Sequence, residues 1–300
     1  MCGIAGLFLK DEKHSAALGR MLSEMLTVLS DRGPDSAGFA VYGTPLAGGV
    51  KLTLRAREAA YDFAALSEQL AAHLGGKVEV TTRATHAVFT LGAEDAAAAE
   101  VWLRANAPEV NLFASGRAME LYKEVGLPAT VSQRFDLPSM AGSHAVGHTR
   151  MATESAVTTA GAHPFSTGPD QCLVHNGSLS NHCALRRNLQ KEGVGVETEN
   201  DSEVAAAYLT WQMGRGMNLG EALEASLKDL DGFYTFVVGT EQGFGVLRDP
   251  IACKPAVLAE TEAYVAFGSE YRALAGLPGI EEARVWEPEP ATVYFWERAQ

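Results

Sequence analysis

Apolar residues open the chain almost without interruption. Gly3 to Leu9 carries Ile4, Ala5, Leu7, Phe8 and Leu9 before the polar run Lys10-Asp11-Glu12, a short block that predicts a strand buried from its first residue. Burial of that kind fixes Cys2 at a strand end. Between residues 15 and 30 the period changes: Leu18, Met21, Leu22, Met25, Leu26 and Leu29 form the stripe of an amphipathic helix laid on a sheet. This helix leads into the turn Arg32-Gly33-Pro34. Gly38 to Tyr42 and Val50 to Leu54 flank a Gly- and Pro-containing loop, which predicts a hairpin over residues 38–56.

Further on, the pattern predicts a helix over Phe63 to Leu74, strands at Val78 to Thr82 and Thr85 to Thr90, and a helix from Ala93 to Asn106. Alanine's intrinsic preference makes that last segment a helix and not low-complexity chain. After Asp201, helices are expected at Glu203 to Met213 and Leu219 to Leu230. Phe233 to Gly239, Gly245 to Pro250, Ala256 to Leu258 and Tyr264 to Glu270 then read as short strands separated by turns. Many strands, with helices toward both ends of the chain, predict an α+β layered fold.

At 300 residues and 47% hydrophobic content the chain could hold two average domains or one large one with an ample core. Its net charge of −13, with no segment that concentrates Lys and Arg, excludes a nucleic-acid partner from the expectations. The start lacks the basic and apolar regions of a secretory signal, and no stretch approaches the ~18 consecutive apolar residues of a membrane span. Four cysteines, Cys2, Cys172, Cys183 and Cys253, do not make a disulfide scaffold. A working thiol suits a reducing compartment, so a cytoplasmic location is expected.

The candidate chemistry starts at Met1-Cys2-Gly3. Removing Met1 leaves a thiol and an α-amine on one residue, and an α-amine with a reference pKa of about 7.7–8.0 can take the thiol's proton near neutrality. Read alone, a cysteine at position 2 means nothing. It is followed, in order, by Asp31-Arg32-Gly33-Pro34-Asp35-Ser36, Gly147-His148-Thr149-Arg150-Met151-Ala152-Thr153, Ala162-His163-Pro164-Phe165, Val174-His175-Asn176-Gly177-Ser178-Leu179 and Asn200-Asp201-Ser202-Glu203. With Cys2 in front, this series resembles the glutaminase domain of the class II glutamine amidotransferases. These N-terminal-nucleophile hydrolases include the glutaminase halves of glutamate synthase and amidophosphoribosyltransferase. The motifs run from residue 2 past residue 200, which favours one large domain over residues 2–300.

The resemblance implies a four-layer α-β-β-α sandwich. It lapses over residues 57–142, which are expected to be an inserted small α/β subdomain, with contact to a partner subunit as its expected use. It also implies that Cys2 attacks the side-chain amide of L-glutamine and forms a γ-glutamyl thioester that water then hydrolyses. Asn176, through its side-chain NH₂, and Gly177, through its backbone NH, would form the oxyanion hole. Arg150 would fork onto the α-carboxylate, Asp201 would accept the α-ammonium, and Thr153 would add a hydroxyl contact. Arg32 would support the nucleophile beside the substrate. The bland readings are an Asn-Gly hairpin turn, a surface ion pair for Arg150 and a helix N-cap for Asp201. His148 and His163 are expected to hydrogen bond in the core. No metal is expected, since Cys172, His175, His182 and Cys183 match no zinc module.

Family members pass ammonia to an acceptor site, and this chain ends just past its last expected strand. The expectation is therefore a glutaminase subunit that delivers ammonia to a separately encoded synthase subunit, as in split glutamate-synthase-like enzymes such as N-methylglutamate synthase. Phe113-Ala114-Ser115-Gly116-Arg117 and the inserted middle are consistent with that group. The resemblance puts no cofactor on this chain; FMN, in a barrel subunit, and an iron–sulfur cluster would belong to partners. The rival readings are a stand-alone γ-glutamyl amide hydrolase and a non-catalytic scaffold subunit.

Overall fold

A computed structural model describes residues 2–152 and 156–298. Its largest sheet has seven antiparallel strands, in the order Arg284–Trp286, Val257–Glu260, Tyr264–Gly268, Gly3–Leu9, His144–Arg150, Ser36–Tyr42 and Met119–Val125. The first strand of the chain is thus central, and every residue of Gly3–Leu9, Ser36–Tyr42 and His144–Arg150 is buried. A five-stranded sheet runs Val293–Glu297, Gly243–Arg248, Gly232–Gly239, Gln171–Leu179 and Phe165–Gly168.

Facing side chains decide how these sheets stack. Ile4, Phe8, Ala40 and Val146 of the larger sheet share one buried cluster with Val174, Val237, Phe244 and Val246 of the smaller. On the far face of the larger sheet lies the helix Leu18–Val28, whose stripe Leu18, Met21, Leu22, Met25 and Leu26 is buried. Truncating one such Leu to Ala costs about 2–5 kcal/mol. On the far face of the smaller sheet, the helices Asp201–Gly214 and Leu219–Asp229 bury Ala205, Leu209, Ala222 and Leu223 against Leu173, Phe236 and Leu247. The result is the expected order helix, sheet, sheet, helix.

Residues 38–56 do not form a hairpin. Ser36–Tyr42 is flanked by His144–Arg150 and Met119–Val125, whereas Gly49–Ala56 is an inner strand of a separate four-stranded sheet, between His86–Gly92 and Val110–Gly116. Glu79–Arg83 completes that sheet. The helices Phe63–Leu74 and Ala96–Asn106 pack on it through Phe63, Leu66, Leu70, Ala99 and Leu103. The small unit thus takes in residues from 49 to 116, and Met119–Val125, inside the segment 57–142, is the edge strand of the large sheet. Buried Asp170 fixes this crossing by accepting the backbone N–H groups of Arg117, Ala118 and Met119 at 2.6, 2.9 and 2.8 Å. Among the described residues, no helix is long and apolar enough to cross a membrane.

Candidate active site

Because Gly3 pairs with Thr149, Cys2 stands beside the Arg150 end of the neighbouring strand. Its Sγ lies 3.7 Å from the Met151 carbonyl oxygen. Two side chains converge on its own carbonyl: Arg32 Nε donates at 3.0 Å and Asn176 Nδ2 at 3.2 Å. Arg32 is buried and pairs with Glu270. That hydrogen bond, helped by Arg272 and opposed by partial burial, holds the Glu270 carboxyl below the usual carboxylate range.

The turn that delivers Arg32 needs its glycine. A Cβ on Gly33 would come within 2.3 Å of the Thr149 carbonyl oxygen. On the other side of Cys2, Asn176 and Gly177 are not a hairpin turn; they lie inside the strand Gln171–Leu179, opposite Thr235 and Tyr234. Gly177 has φ +154°, and a Cβ there would sit 2.0 Å from the Phe233 carbonyl oxygen. Only glycine fits that backbone without displacement.

Asp201 is the first residue of its helix, and the N-cap is Asn200, whose side chain accepts from Ser202 N at 2.9 Å. Free of that duty, Asp201 Oδ2 accepts Leu179 N at 2.9 Å, which ties the helix start to the end of the Asn176-Gly177 strand. Behind it the Ser202 hydroxyl bridges His163 Nε2 and His175 Nδ1, each at 2.8 Å. His148 stacks on His163 with ring centroids 4.1 Å apart and donates from Nε2 to the His175 carbonyl at 3.1 Å. Burial pushes all three imidazoles down, His148 to about 3. They are neutral hydrogen-bonding groups of the core.

Arg150 is buried at the end of its strand, with Nη1 donating to the Ala156 carbonyl at 3.4 Å. Thr153 lies outside the described residues. Cys2, Arg32 and Asn176 therefore meet directly, Asp201 joins them through the Leu179 end of the strand, and Arg150 adjoins them through strand register. Two cavities of about 730 and 660 Å³ lie elsewhere and are lined by neither Cys2 nor Asn176. Among the described residues no cluster of His, Cys, Asp and Glu could hold a metal ion. In the sequence Ser202 is only a motif neighbour of Asp201 and Glu270 only the end of an expected strand; buried Arg32 demands a counter-charge, but nothing in the sequence says it comes from residue 270.

Comparison with known proteins bears on this geometry. A family model described as a glutamine amidotransferase domain matches residues 148–276. The chain is 61% identical over 297 residues to the glutamine amidotransferase-like protein GlxB of Rhizobium meliloti, covering 99% of this chain and 98% of that protein. The chain belongs to the class II glutamine amidotransferases. A putative glutamine amidotransferase of Methanothermobacter thermautotrophicus is 33% identical, over 98% of this chain and 99% of its own. The glutamine phosphoribosylpyrophosphate amidotransferase of B. subtilis matches in structure with a TM-score of 0.62 at 19% identity. That likeness shows the N-terminal-nucleophile fold, and the chain covers 99% of itself but only 47% of that enzyme. This amidotransferase is accordingly an enzyme of the N-terminal-nucleophile class whose substrate class is glutamine.

Proposed function

We propose that this amidotransferase, freed of Met1, hydrolyses the side-chain amide of L-glutamine at Cys2 and delivers the ammonia to a separate synthase subunit. The Cys2 α-amine takes the thiol proton as sulfur attacks the amide carbon. It returns that proton to the leaving nitrogen, and ammonia departs from a γ-glutamyl thioester. Water then cleaves the thioester to glutamate and restores the thiol. The observation that supports the reading is the convergence of Asn176 Nδ2 and Arg32 Nε on the Cys2 carbonyl, which brings residue 2 and the Asn176 amide together.

An amide NH₂ carries two protons, so Asn176 can hold Cys2 with one and receive the oxyanion with the other, together with the Gly177 N–H. Arg150 binds the α-carboxylate and Asp201 the α-ammonium, with Thr153 contributing a hydroxyl. The separate synthase is of glutamate-synthase or N-methylglutamate-synthase type. Its FMN-binding barrel and any iron–sulfur cluster lie on partner chains, in a cytoplasmic complex. The 61% identity to the glutamine amidotransferase-like protein of Rhizobium meliloti supports the amidotransferase part of this reading.

The test is reconstitution with a candidate synthase, driven by glutamine or by ammonium salt. Cys2→Ala should abolish glutamine-driven synthesis and leave ammonium-driven synthesis intact. Unchanged glutamine-driven synthesis would make the chain a scaffold, and full-rate hydrolysis of another γ-glutamyl amide by the chain alone would make it a hydrolase.

A further inference from the structure

Three consecutive layers of contact bear on one stretch of backbone, residues 156–164. At its start, the Ala156 carbonyl accepts from Arg150 Nη1. In its middle, the Thr159 hydroxyl donates to Glu124 Oε1 and accepts from Arg55 Nη2 at 3.3 Å. Arg55 also lies 3.8 Å from Glu124 Oε2, which receives the Thr85 hydroxyl at 3.2 Å. Arg55 belongs to an inner strand of the small sheet and Thr85 to the turn between two of its strands, so both are contacts from the small unit.

The second half of the stretch is gathered by one buried amine. Lys123, on the edge strand of the large sheet and fully inside the protein, donates from Nζ to the carbonyls of Ala160, Ala162 and Pro164 at 3.2, 2.8 and 3.2 Å. Its Nζ also faces the rings of Phe113 and Phe165, 4.6 and 4.5 Å from their centroids. Between those carbonyls sits His163, whose ring bonds to Ser202, the neighbour of Asp201. The stretch thus runs from Arg150 at one end to the Asp201 helix at the other. Burial pushes this amine down to about 7, and a polar group buried this deeply is costly unless its donors are used; here they organise a loop that no strand pairing supports.

We propose that Lys123 and Arg55 are positioning residues for glutamine: by clamping residues 156–164 they set the spacing between Arg150 and Asp201, so that the small four-stranded unit helps determine glutamine affinity. This rests on the reading of Arg150 and Asp201 as the pair that binds the two ends of glutamine. Neither positioning residue contacts the reacting atoms, so both act on binding and not on the chemical step.

The experiment compares Arg55→Met and Lys123→Met with the full wild-type chain, together with its synthase partner if turnover requires one. Glutamine KM and kcat are read separately, beside the rates at which 6-diazo-5-oxo-norleucine and iodoacetamide alkylate Cys2. Iodoacetamide needs the thiolate but not the amino-acid ends of glutamine. Arg55→Met should raise KM about tenfold, equivalent to ~1.4 kcal/mol, with kcat within about twofold. Its labelling by the diazo reagent should slow while iodoacetamide labelling stays unchanged, and Arg55→Lys should recover part of the loss. Lys123→Met should act in the same direction and more strongly. If it fails to fold, Arg55→Met decides alone, since Arg55 keeps 18% side-chain exposure. An unchanged KM in Arg55→Met, or an equal fall in both labelling rates, overturns the clamp. Wild-type protein that takes iodoacetamide but neither turns over glutamine nor takes the diazo label removes the functional reading and the clamp with it.

Discussion

Replacing Gly177 by alanine should silence the enzyme without emptying its core. The added methyl carbon would stand 2.0 Å from the Phe233 carbonyl oxygen and 2.7 Å from Tyr234 Cα, where real side chains keep at least 3.0 Å. Both are backbone atoms of the paired strand, so no side chain can swing away; the strands must part by about 1 Å. Misplacement on that scale costs about 10²-fold in rate, and loss of one oxyanion donor costs about 10²–10³-fold. The φ of +154° adds strain of ~1–3 kcal/mol for a non-glycine residue. We expect kcat for glutamine to fall at least about 10²-fold, with a Tm lower by several degrees. Gly214→Ala is the control: its methyl would meet nothing within 4 Å at the end of a helix, so kcat should be unchanged and Tm should not fall. Assays of glutamate release and thermal melting of both variants read the outcome. Gly177→Ala with kcat within threefold of wild type would refute the reasoning.

Ser202→Ala strands His163 Nε2 and His175 Nδ1 in the core, at ~1–3 kcal/mol for each lost partner, so urea denaturation should show about 2–6 kcal/mol of destabilisation. A loss under about 1 kcal/mol would mean that the hydroxyl bridge is not what holds the imidazoles. Burial pushes His86, His144 and His148 down to about 3, whereas an unfolded histidine titrates near 6.5. The unfolded chain therefore binds more protons between those values, and stability falls as pH drops below about 6.5, by ~1.4 kcal/mol per pH unit for each residue. At pH 5 the three together cost about 6 kcal/mol, comparable with the whole stability of many domains. Unfolding near pH 4–5 is expected with uptake of at least three protons, since His163 and His175 are also pushed down and add to the count. Stability that stays flat down to pH 4 in a denaturant titration would contradict it.

Local periodicity carried much of the architecture. The stripe from Leu18 to Leu29, the apolar block after Cys2 and the helix Phe63–Leu74 lie where the pattern puts them, because each element buries the face that its own spacing defines. The pairing of Ser36–Tyr42 was not legible. Two β-rich runs across a Gly- and Pro-containing loop suggest a hairpin, but Ser36–Tyr42 is buried on both faces and takes its partners from residues 119–125 and 144–150. Partners that far along the chain leave no local mark. At the site, Cys2, Arg150, Asn176 and Asp201 could be picked out from motif order. Glu270, which pairs with Arg32, and Lys123, on the strand Met119–Val125 and in none of the motifs, could not. Their roles come from the carbonyls and guanidinium that the fold brings to them.

The central claim is that Cys2 is the nucleophile that accepts glutamine. Intact mass before and after treatment with 6-diazo-5-oxo-norleucine, with the synthase partner present, tests it most directly. The account predicts a chain lacking Met1 that gains one adduct, mapped to Cys2 and absent from Cys2→Ser. A chain that has lost Met1 and gains no adduct, or gains one at another residue, would contradict it.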